Sequence, residues 1–159
     1  MDNVRQAFAT CPKGLESLLL EELRSFGADA LKETVAGVGF AADIRVLYRI
    51  CLWSRLANRV HLQLARFEFR SEAELYAGAR EIDWAEHMDV DTSFAIDCTG
   101  SGGGIDNSRY GALRVKDALA DYFRAEVGRR PSVDAVSPGI RVHVRLRNLS
   151  ALISLDLSG

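Results

Sequence analysis

The sequence has few cysteines and histidines, and neither set is spaced like a metal or disulfide site. Cys11, Cys51 and Cys98 are odd in number and form no C-x-x-C pair, which argues against a disulfide framework and a zinc site. The three histidines are far apart, and none has another histidine three or four positions away. We therefore predict reduced thiols, a cytoplasmic protein and no bound metal.

Long apolar runs, charge of one sign and catalytic signatures are also missing. No apolar run reaches membrane-spanning length, and the first residues lack the basic and then apolar order of a signal peptide. The formal net charge is −2, so a polyanion would need a local basic patch. The sequence contains no G-x-S-x-G or H-E-x-x-H motif, and residues 100–104 match no G-x-G-x-x-G pattern. We predict no catalytic residues and interpret residues 100–104 as a flexible connector, with amide contacts to a phosphate as the alternative.

The first part of the sequence has apolar periodicities in the order β-α-β-β-α-β. A strand over residues 5–11 precedes an amphipathic helix, a hairpin over residues 31–41, a second helix and a strand from residue 60. This order predicts a small ferredoxin-like unit. Asp43 is the expected cap of the second helix. The residues of that helix predicted to face inward are Ile44, Leu47, Tyr48, Cys51 and Leu52.

A second α/β pattern begins at residue 71. It consists of a helix to residue 82, a strand over 93–99, a long helix over 106–127 and strands over 140–147 and 151–157. A right-handed crossover would make the first two strands parallel, and the last strand would pair antiparallel. We predict an α/β (α+β) fold with a mixed sheet in this unit and domains over residues 1–69 and 70–159. Trp53 and Trp84 flank the boundary and are expected to be buried.

Two elements of the second unit carry candidate anion-binding cations. Arg109 and Lys116 lie in line on one flank of the long helix, about 10 Å apart, and Asn107 and Ser108 stand at its amino terminus, where free N–H groups favour anions. The strand I-R-V-H-V-R-L-R alternates strictly. The basic residues that share its polar face are Arg141, His143, Arg145 and Arg147. A face that is merely solvated would have the same pattern.

Arg130 belongs to a basic corner just past the long helix. A helix-ending loop with charge favourable to the helix dipole would also explain it. Arg130 lies about 30 Å along the helix from Arg109, so the two cannot hold one phosphate.

Several motifs resemble one protein family. Five segments resemble the amino-terminal part of the RlmL family. They are C-P-K-G-L-E at residues 11–16, L-W-S-R-L-A at 52–57, N-S-R-Y-G-A-L-R-V-K-D-A at 107–118, R-P-S-V-D at 130–134 and L-D-L-S-G at 155–159. The members of this family are bacterial 23S ribosomal RNA guanine-N2 methyltransferases. The resemblance covers essentially the whole chain and implies a ferredoxin-like unit followed by a THUMP domain, an RNA-binding module. It implies RNA contacts for Asn107, Ser108, Arg109, Lys116 and Arg130.

The resemblance also implies a division of labour. In the family a catalytic half follows L-D-L-S-G, and an N-P-P-Y-like loop that holds the target base does not occur in this sequence. We therefore expect an RNA-binding targeting module without activity of its own. The implied partners are large-subunit ribosomal RNA and a carboxy-terminal methyltransferase domain that binds S-adenosylmethionine, with no membrane involved. The alternatives are a protein-docking scaffold, which the acidic net charge favours, and the RNA-binding part of a tRNA-modifying THUMP enzyme.

Overall fold

The computed structural model describes residues 3–158. This part of the chain divides into two compact units: unit 1 comprises residues 3–63 and 156–158, and unit 2 comprises residues 64–155. The domain boundary near residue 70 remains a prediction, and residues 1, 2 and 159 of its two ranges lie outside the described residues. Among residues 3–158, no helix is long and apolar enough to cross a membrane.

Unit 1 has the predicted ferredoxin-like order of elements. These are β1 (Arg5–Thr10), α1 (Glu16–Ser25), β2 (Asp29–Thr34), β3 (Gly37–Ala42), α2 (Ile44–Trp53) and β4 (Arg59–Glu68), of which residues 59–63 belong to this unit. The strands lie in the order β2-β3-β1-β4. Each neighbouring pair is antiparallel. The prediction of a βαββαβ unit is therefore confirmed.

The side of helix α2 that contacts the core of unit 1 matches the prediction only in part, because Leu47 is buried as predicted and three other residues are not. Leu47 and Ile50 are fully buried, whereas Ile44, Tyr48 and Leu52 are 45%, 63% and 77% exposed. The prediction that these three residues face inward is wrong. Eight of the ten residues in I-R-V-L-Y-R-I-C-L-W are apolar, so apolar side chains surround the helix and their spacing does not select one face.

The two tryptophans have opposite environments. Trp84 is fully buried, and its Nε1 donates to the carbonyl of Ala79 at 3.0 Å. Trp53, the last residue of α2, is 68% exposed. The expected burial is confirmed for Trp84 and wrong for Trp53, which remains exposed at the end of α2.

Unit 2 contains residues 64–68 of β4, three further strands and two α-helices. In chain order its elements are α3 (Glu72–Arg80), a short 3₁₀ helix (Trp84–Glu86), β5 (Phe94–Gly102), α4 (Ser108–Val127), β6 (Ile140–Asn148) and β7 (Ser150–Asp156), whose last residue belongs to unit 1. The strand order is β7-β6-β5. β5 pairs parallel with β6, and β6 pairs antiparallel with β7, as predicted.

Helix α4 packs closely on the strands of unit 2. A side chain at Gly111 would lie 3.0 Å from Cys98 Sγ and 3.1 Å from a methyl group of Leu146, so glycine permits the close approach. The apolar periodicity of the sequence predicts one stripe on this helix, formed by Gly111, Ala112, Val115, Ala118, Leu119, Tyr122 and Phe123. The buried residues of α4 match most of this stripe. They are Gly111, Val115, Ala118, Leu119, Ala120 and Phe123.

Strand β5 continues through the glycine-rich segment that we had interpreted as a flexible connector. Gly100 and Gly102 pair with Leu146 and Asn148 on β6. Their φ angles are +85° and +151°, and a Cβ there would lie 2.0 Å and 1.9 Å from the carbonyl oxygens of those two partners. The interpretation is wrong for residues 100–102, because glycine is what allows this part of the chain to pair at such short distances.

Candidate nucleic-acid interface

A groove of about 250 Å³ lies in unit 2, where α4 passes over β5 and the beginning of β6. Arg109 and Lys116 line it from α4, and Arg141 lines it from β6. Apolar side chains such as Leu113 and Val133 form much of the remaining surface. The structure thus brings three of the predicted cations together around one apolar cleft.

The two cations of α4 are available to a ligand. Arg109 is exposed and Lys116 is half-buried. The residues lie about 10 Å apart along the helix axis. Within residues 3–158, no carboxylate lies within ion-pair distance of either side chain. The stem of Lys116 contributes apolar surface to the groove while its ammonium group can remain in water.

The third cation is held by a neighbouring carboxylate. Arg141 Nη1 donates to Asp97 Oδ2 at 2.8 Å, and the two side chains are 29% and 56% exposed. Asp97 also lines the groove. An ion pair this accessible to water is weak, so the guanidinium group retains N–H donors for a phosphate.

One end of the groove is formed by residues 132–135. Phe94 N donates to Ser132 O at 3.0 Å, and Asp134 N donates to Phe94 O at 2.9 Å, which extends the sheet beyond β5. The side chain between these bonds, Val133, lines the groove. The N–H groups of residues 136 and 137 donate to the Asp134 carboxylate and lower its pKa. The R-P-S-V-D motif therefore contributes an apolar wall.

The other predicted site residues lie outside this groove. Asn107 is the N-cap of α4, and its Oδ1 accepts from Arg109 N at 2.8 Å. Ser108 begins the helix, and Arg130 is exposed in the loop that follows it. Arg145 and Arg147 are exposed on β6. Roles in RNA binding for these residues remain predictions.

Asp97 is a groove residue that sequence reasoning missed. Alternation in β6 places Arg141 on the face opposite Val142, and Asp97 occupies the corresponding face of β5. The predicted parallel pairing of the two strands was the signal that could have placed the carboxylate beside Arg141.

The thiol of Cys98 lies close to Gly111, where α4 packs on β5. Its burial raises the pKa of Cys98 to about 11, so the neutral thiol is the form present at neutral pH. Among residues 3–158, no cluster of three or more His, Cys, Asp or Glu side chains could hold a metal ion.

Comparison with known families and proteins places this groove in a recognised domain. The family described as the RlmL ferredoxin-like domain matches residues 6–61, and the family described as the THUMP domain matches residues 69–156. The chain belongs to the THUMP family. All residues of the groove fall within the THUMP domain, and α2 falls within the RlmL ferredoxin-like domain.

Relatives of known name support the same assignment. The ribosomal RNA large subunit methyltransferase K/L of Ectopseudomonas mendocina is 52% identical over 150 residues, which cover 94% of this chain and 21% of that protein. The protein of the same name from Pseudomonas aeruginosa is 49% identical over 159 residues, covering 100% of this chain and 22% of that protein. The chain therefore spans about a fifth of the length of the curated relatives it matches.

Solved structures share the fold. TrmN from Thermus thermophilus superposes with a TM-score of 0.72 at 24% sequence identity, over 99% of this chain and 46% of that chain. At this level of identity, the likeness shows a shared fold and carries no functional assignment.

Proposed function

We propose that the THUMP domain binds RNA through the groove beside α4 and that the chain is the RNA-binding targeting module of a ribosomal RNA methyltransferase. The observation that carries the proposal is the convergence of Arg109, Lys116 and Arg141 on one cleft with apolar walls. The names of the relatives supply the class of RNA, which is that of the large ribosomal subunit.

The groove has the chemistry that a nucleic-acid backbone requires. The planar guanidinium of Arg109 can donate two parallel hydrogen bonds to a phosphate, whereas the ammonium of Lys116 acts as a point charge. Their separation of about 10 Å allows each to contact a different phosphate. Such contacts position an RNA without reading its sequence, while the apolar walls can accept a sugar or base.

The remaining predicted cations extend this surface in the proposal. Arg130, Arg145 and Arg147 are exposed and would form outer contacts. Ser108 and the free amide N–H groups of Asn107 would donate to a phosphate near the start of α4. These weaker contacts would add affinity but would not replace the three cations of the groove.

The chemical step is assigned to the part of the relatives that this chain does not match. That part would bind S-adenosylmethionine and transfer its methyl group to the exocyclic amine of a guanine. The THUMP domain would hold the RNA so that this guanine reaches the methyltransferase domain. The proposal includes the cytoplasmic location in which ribosomal RNA is modified in bacteria.

Salt-dependent RNA binding tests the proposal. The affinity of the chain for a hairpin from large-subunit ribosomal RNA is measured by fluorescence anisotropy at several salt concentrations. Arg109→Gln and Lys116→Gln should each reduce the slope of log affinity against log salt by about 0.7 for a single-stranded contact. Arg124→Gln is the matched control, because Arg124 lies two turns beyond Lys116 on α4, does not line the groove, and pairs with Asp121 at 3.5 Å.

Asn107→Ala provides a second control for the fold. It removes the cap of α4, at a cost of about 1 kcal/mol, and also removes the proposed contact of its amide with a phosphate, so the melting temperature and the affinity should both fall. The slope should not change, because the Asn107 side chain carries no charge. Unchanged slopes for folded Arg109→Gln and Lys116→Gln would overturn the groove assignment. Binding without salt dependence would favour the protein-docking scaffold, and a preference for tRNA over the ribosomal hairpin would favour a tRNA-modifying enzyme.

A further inference from the structure

The outer face of α2 in unit 1 carries large apolar side chains that remain exposed. Tyr48 and Leu52 follow Ile44 at intervals of four residues, and Trp53 ends the helix. The stripe from residue 44 to residue 52 is about 12 Å long. Large apolar surfaces that remain in water in a folded protein commonly mark a binding site.

A second stripe on the same face carries positive charge. Arg45 and Arg49 are exposed and lie one turn apart, which places their Cβ atoms about 5–6 Å from each other. Within residues 3–158, no carboxylate lies within ion-pair distance of either guanidinium. Arg49 Nη1 donates to Phe26 O at 3.0 Å, and the other N–H groups of this guanidinium remain available.

Carboxylates near α2 are engaged by other groups. The sequence of the helix contains no Asp or Glu. The cap residue Asp43 accepts from Val46 N at 2.9 Å. Glu22, on α1, accepts hydrogen bonds from Ser54 Oγ and from the backbone N–H of Arg55 at 3.1 Å. The exposed face of α2 therefore presents positive charge on a chain whose net charge is −2.

The two stripes lie side by side on the helix. At 100° per residue, residues 44, 48 and 52 fall within one arc, and residues 45, 49 and 53 fall within the adjacent arc. Each aromatic ring thus has an arginine next to it. This combination suits a polyanion that also carries flat apolar rings, because cations follow the backbone while rings stack on the bases.

We propose that this face of α2 binds unpaired RNA nucleotides, with bases stacked on Tyr48 and Trp53 and phosphates on Arg45 and Arg49. The surface belongs to the ferredoxin-like domain, so the proposal is independent of the groove in the THUMP domain. A second copy of the chain is a poorer occupant, because pairing α2 with α2 would place arginines against arginines. A protein partner would require an acidic rim, whereas RNA supplies both the negative charge and the rings.

Tryptophan fluorescence can follow binding at this face directly. The chain has two tryptophans, and Trp84 is fully buried, so a ligand that stacks on α2 changes the emission of Trp53. The full chain is titrated with an unpaired oligoadenylate of about 12 nucleotides, which should quench that emission. Trp53→Phe should remove the change while leaving the emission of Trp84.

Variants of the two stripes identify the contacts. The double variant Arg45→Gln with Arg49→Gln, and separately Tyr48→Leu, should each weaken the affinity obtained from quenching about tenfold. Arg24→Gln is the matched control, because Arg24 lies on α1 of the same unit and pairs with Glu21 at 2.6 Å. Thermal unfolding of each variant establishes that an effect on binding is not an effect on folding.

The possible outcomes separate this proposal from that of the groove. Quenching that is weakened by the α2 variants and unaffected by Arg109→Gln supports the α2 surface, whatever happens at the groove. RNA binding that is sensitive to Arg109→Gln but does not change the emission of Trp53 overturns the α2 proposal and leaves the groove in place. Shielding of Trp53 on raising protein concentration alone, with a dimer in sedimentation, would assign the face to a second copy.

Discussion

At the scale of single residues, Asp97 places a negative charge among the cations of the groove and pairs with one of them at 2.8 Å. Asp97→Asn removes this charge and frees Arg141, while a polar side chain of similar size remains. The affinity for RNA at low salt should therefore rise about threefold, since an exposed ion pair is worth about 0.2–1 kcal/mol. Anisotropy titrations at several salt concentrations measure the change.

The control for this prediction is Asp117→Asn. Asp117 pairs with Arg114 at 3.2 Å on α4, and neither side chain lines the groove. The affinity of this variant should match that of the parent chain. A parental or lower affinity for folded Asp97→Asn would show that the carboxylate positions Arg141 for binding and does not compete with the RNA.

Cys98 gives the stability of the THUMP domain a dependence on alkaline pH. Burial raises its pKa from 9.0 to about 11, so the folded chain holds this proton more tightly than the unfolded chain. The resulting stabilisation is fully present below pH 9 and is lost as the pH rises through about 11. Chemical denaturation between pH 9 and about 11 measures this loss. As the pH rises, the free energy of unfolding should fall less steeply for Cys98→Ala than for the parent chain. Parallel curves would contradict this assignment.

At the scale of elements, helices α2 and α4 and strand β5 show which structural features the local sequence determines. Helix α4 was predictable because its apolar stripe, its Asn107 cap and its polar flank agree with one another. In α2 the apolar residues surround the helix, so only packing against the rest of unit 1 determines that Leu47 and Ile50 are buried. The glycines of β5 have no strand propensity, and their pairing depends on a partner strand about 45 residues away in sequence.

The residues of the candidate site likewise fall into two groups, those that the periodicity of one segment predicts and those that depend on contacts between segments. Arg109 and Lys116 follow from the periodicity of one helix, and Arg141 follows from the alternation of one strand. The side chains that complete the groove, among them Asp97 and Val133, depend on strand register and on a loop that bonds to the sheet edge. Periodicity within one segment contains no information about such contacts.

The glycines of β5 yield a prediction for the sheet. Gly100→Ala would place a Cβ 2.0 Å from the carbonyl oxygen of Leu146 and would also strain a backbone at φ +85°. The parallel pairing of β5 with β6 must then be disturbed, at a cost of about 3 kcal/mol or more. Thermal unfolding measures the loss, and hydrogen exchange at β5 and β6 locates it.

A comparison of Gly128→Ala with Gly100→Ala distinguishes the cost of backbone strain from the cost of a steric clash. Gly128 ends α4 at φ +77°, and a Cβ there would have no neighbour within 4 Å among the described residues. This variant should lose only about 1–2 kcal/mol, the cost of a left-handed conformation without glycine. If the two substitutions destabilise the chain equally, the close carbonyl oxygen of Leu146 contributes little to the requirement for glycine at position 100.

At the scale of the whole molecule, a net charge of −2 means that RNA must be held by local surfaces, and two are proposed, one in each unit. An RNA of about three nucleotides can fill only one surface at a time. When a much longer RNA occupies both surfaces, the second contact forms within the same complex. The long RNA should bind at least about 100-fold more tightly than the short one, because linkage raises the effective concentration of the second site.

Two double variants test whether the higher affinity of the long RNA comes from binding to both surfaces at once. Neutralising Arg45 and Arg49, or neutralising Arg109 and Lys116, should each remove most of the advantage of the long RNA. The slope of log affinity against log salt should also fall by about 1.4 in each case, since two counterions fewer are released. Anisotropy titrations with labelled RNAs of the two lengths give both quantities. If the long RNA keeps its advantage in one of these double variants, the corresponding surface takes no part in holding it, and the other surface alone must contact several segments of the RNA.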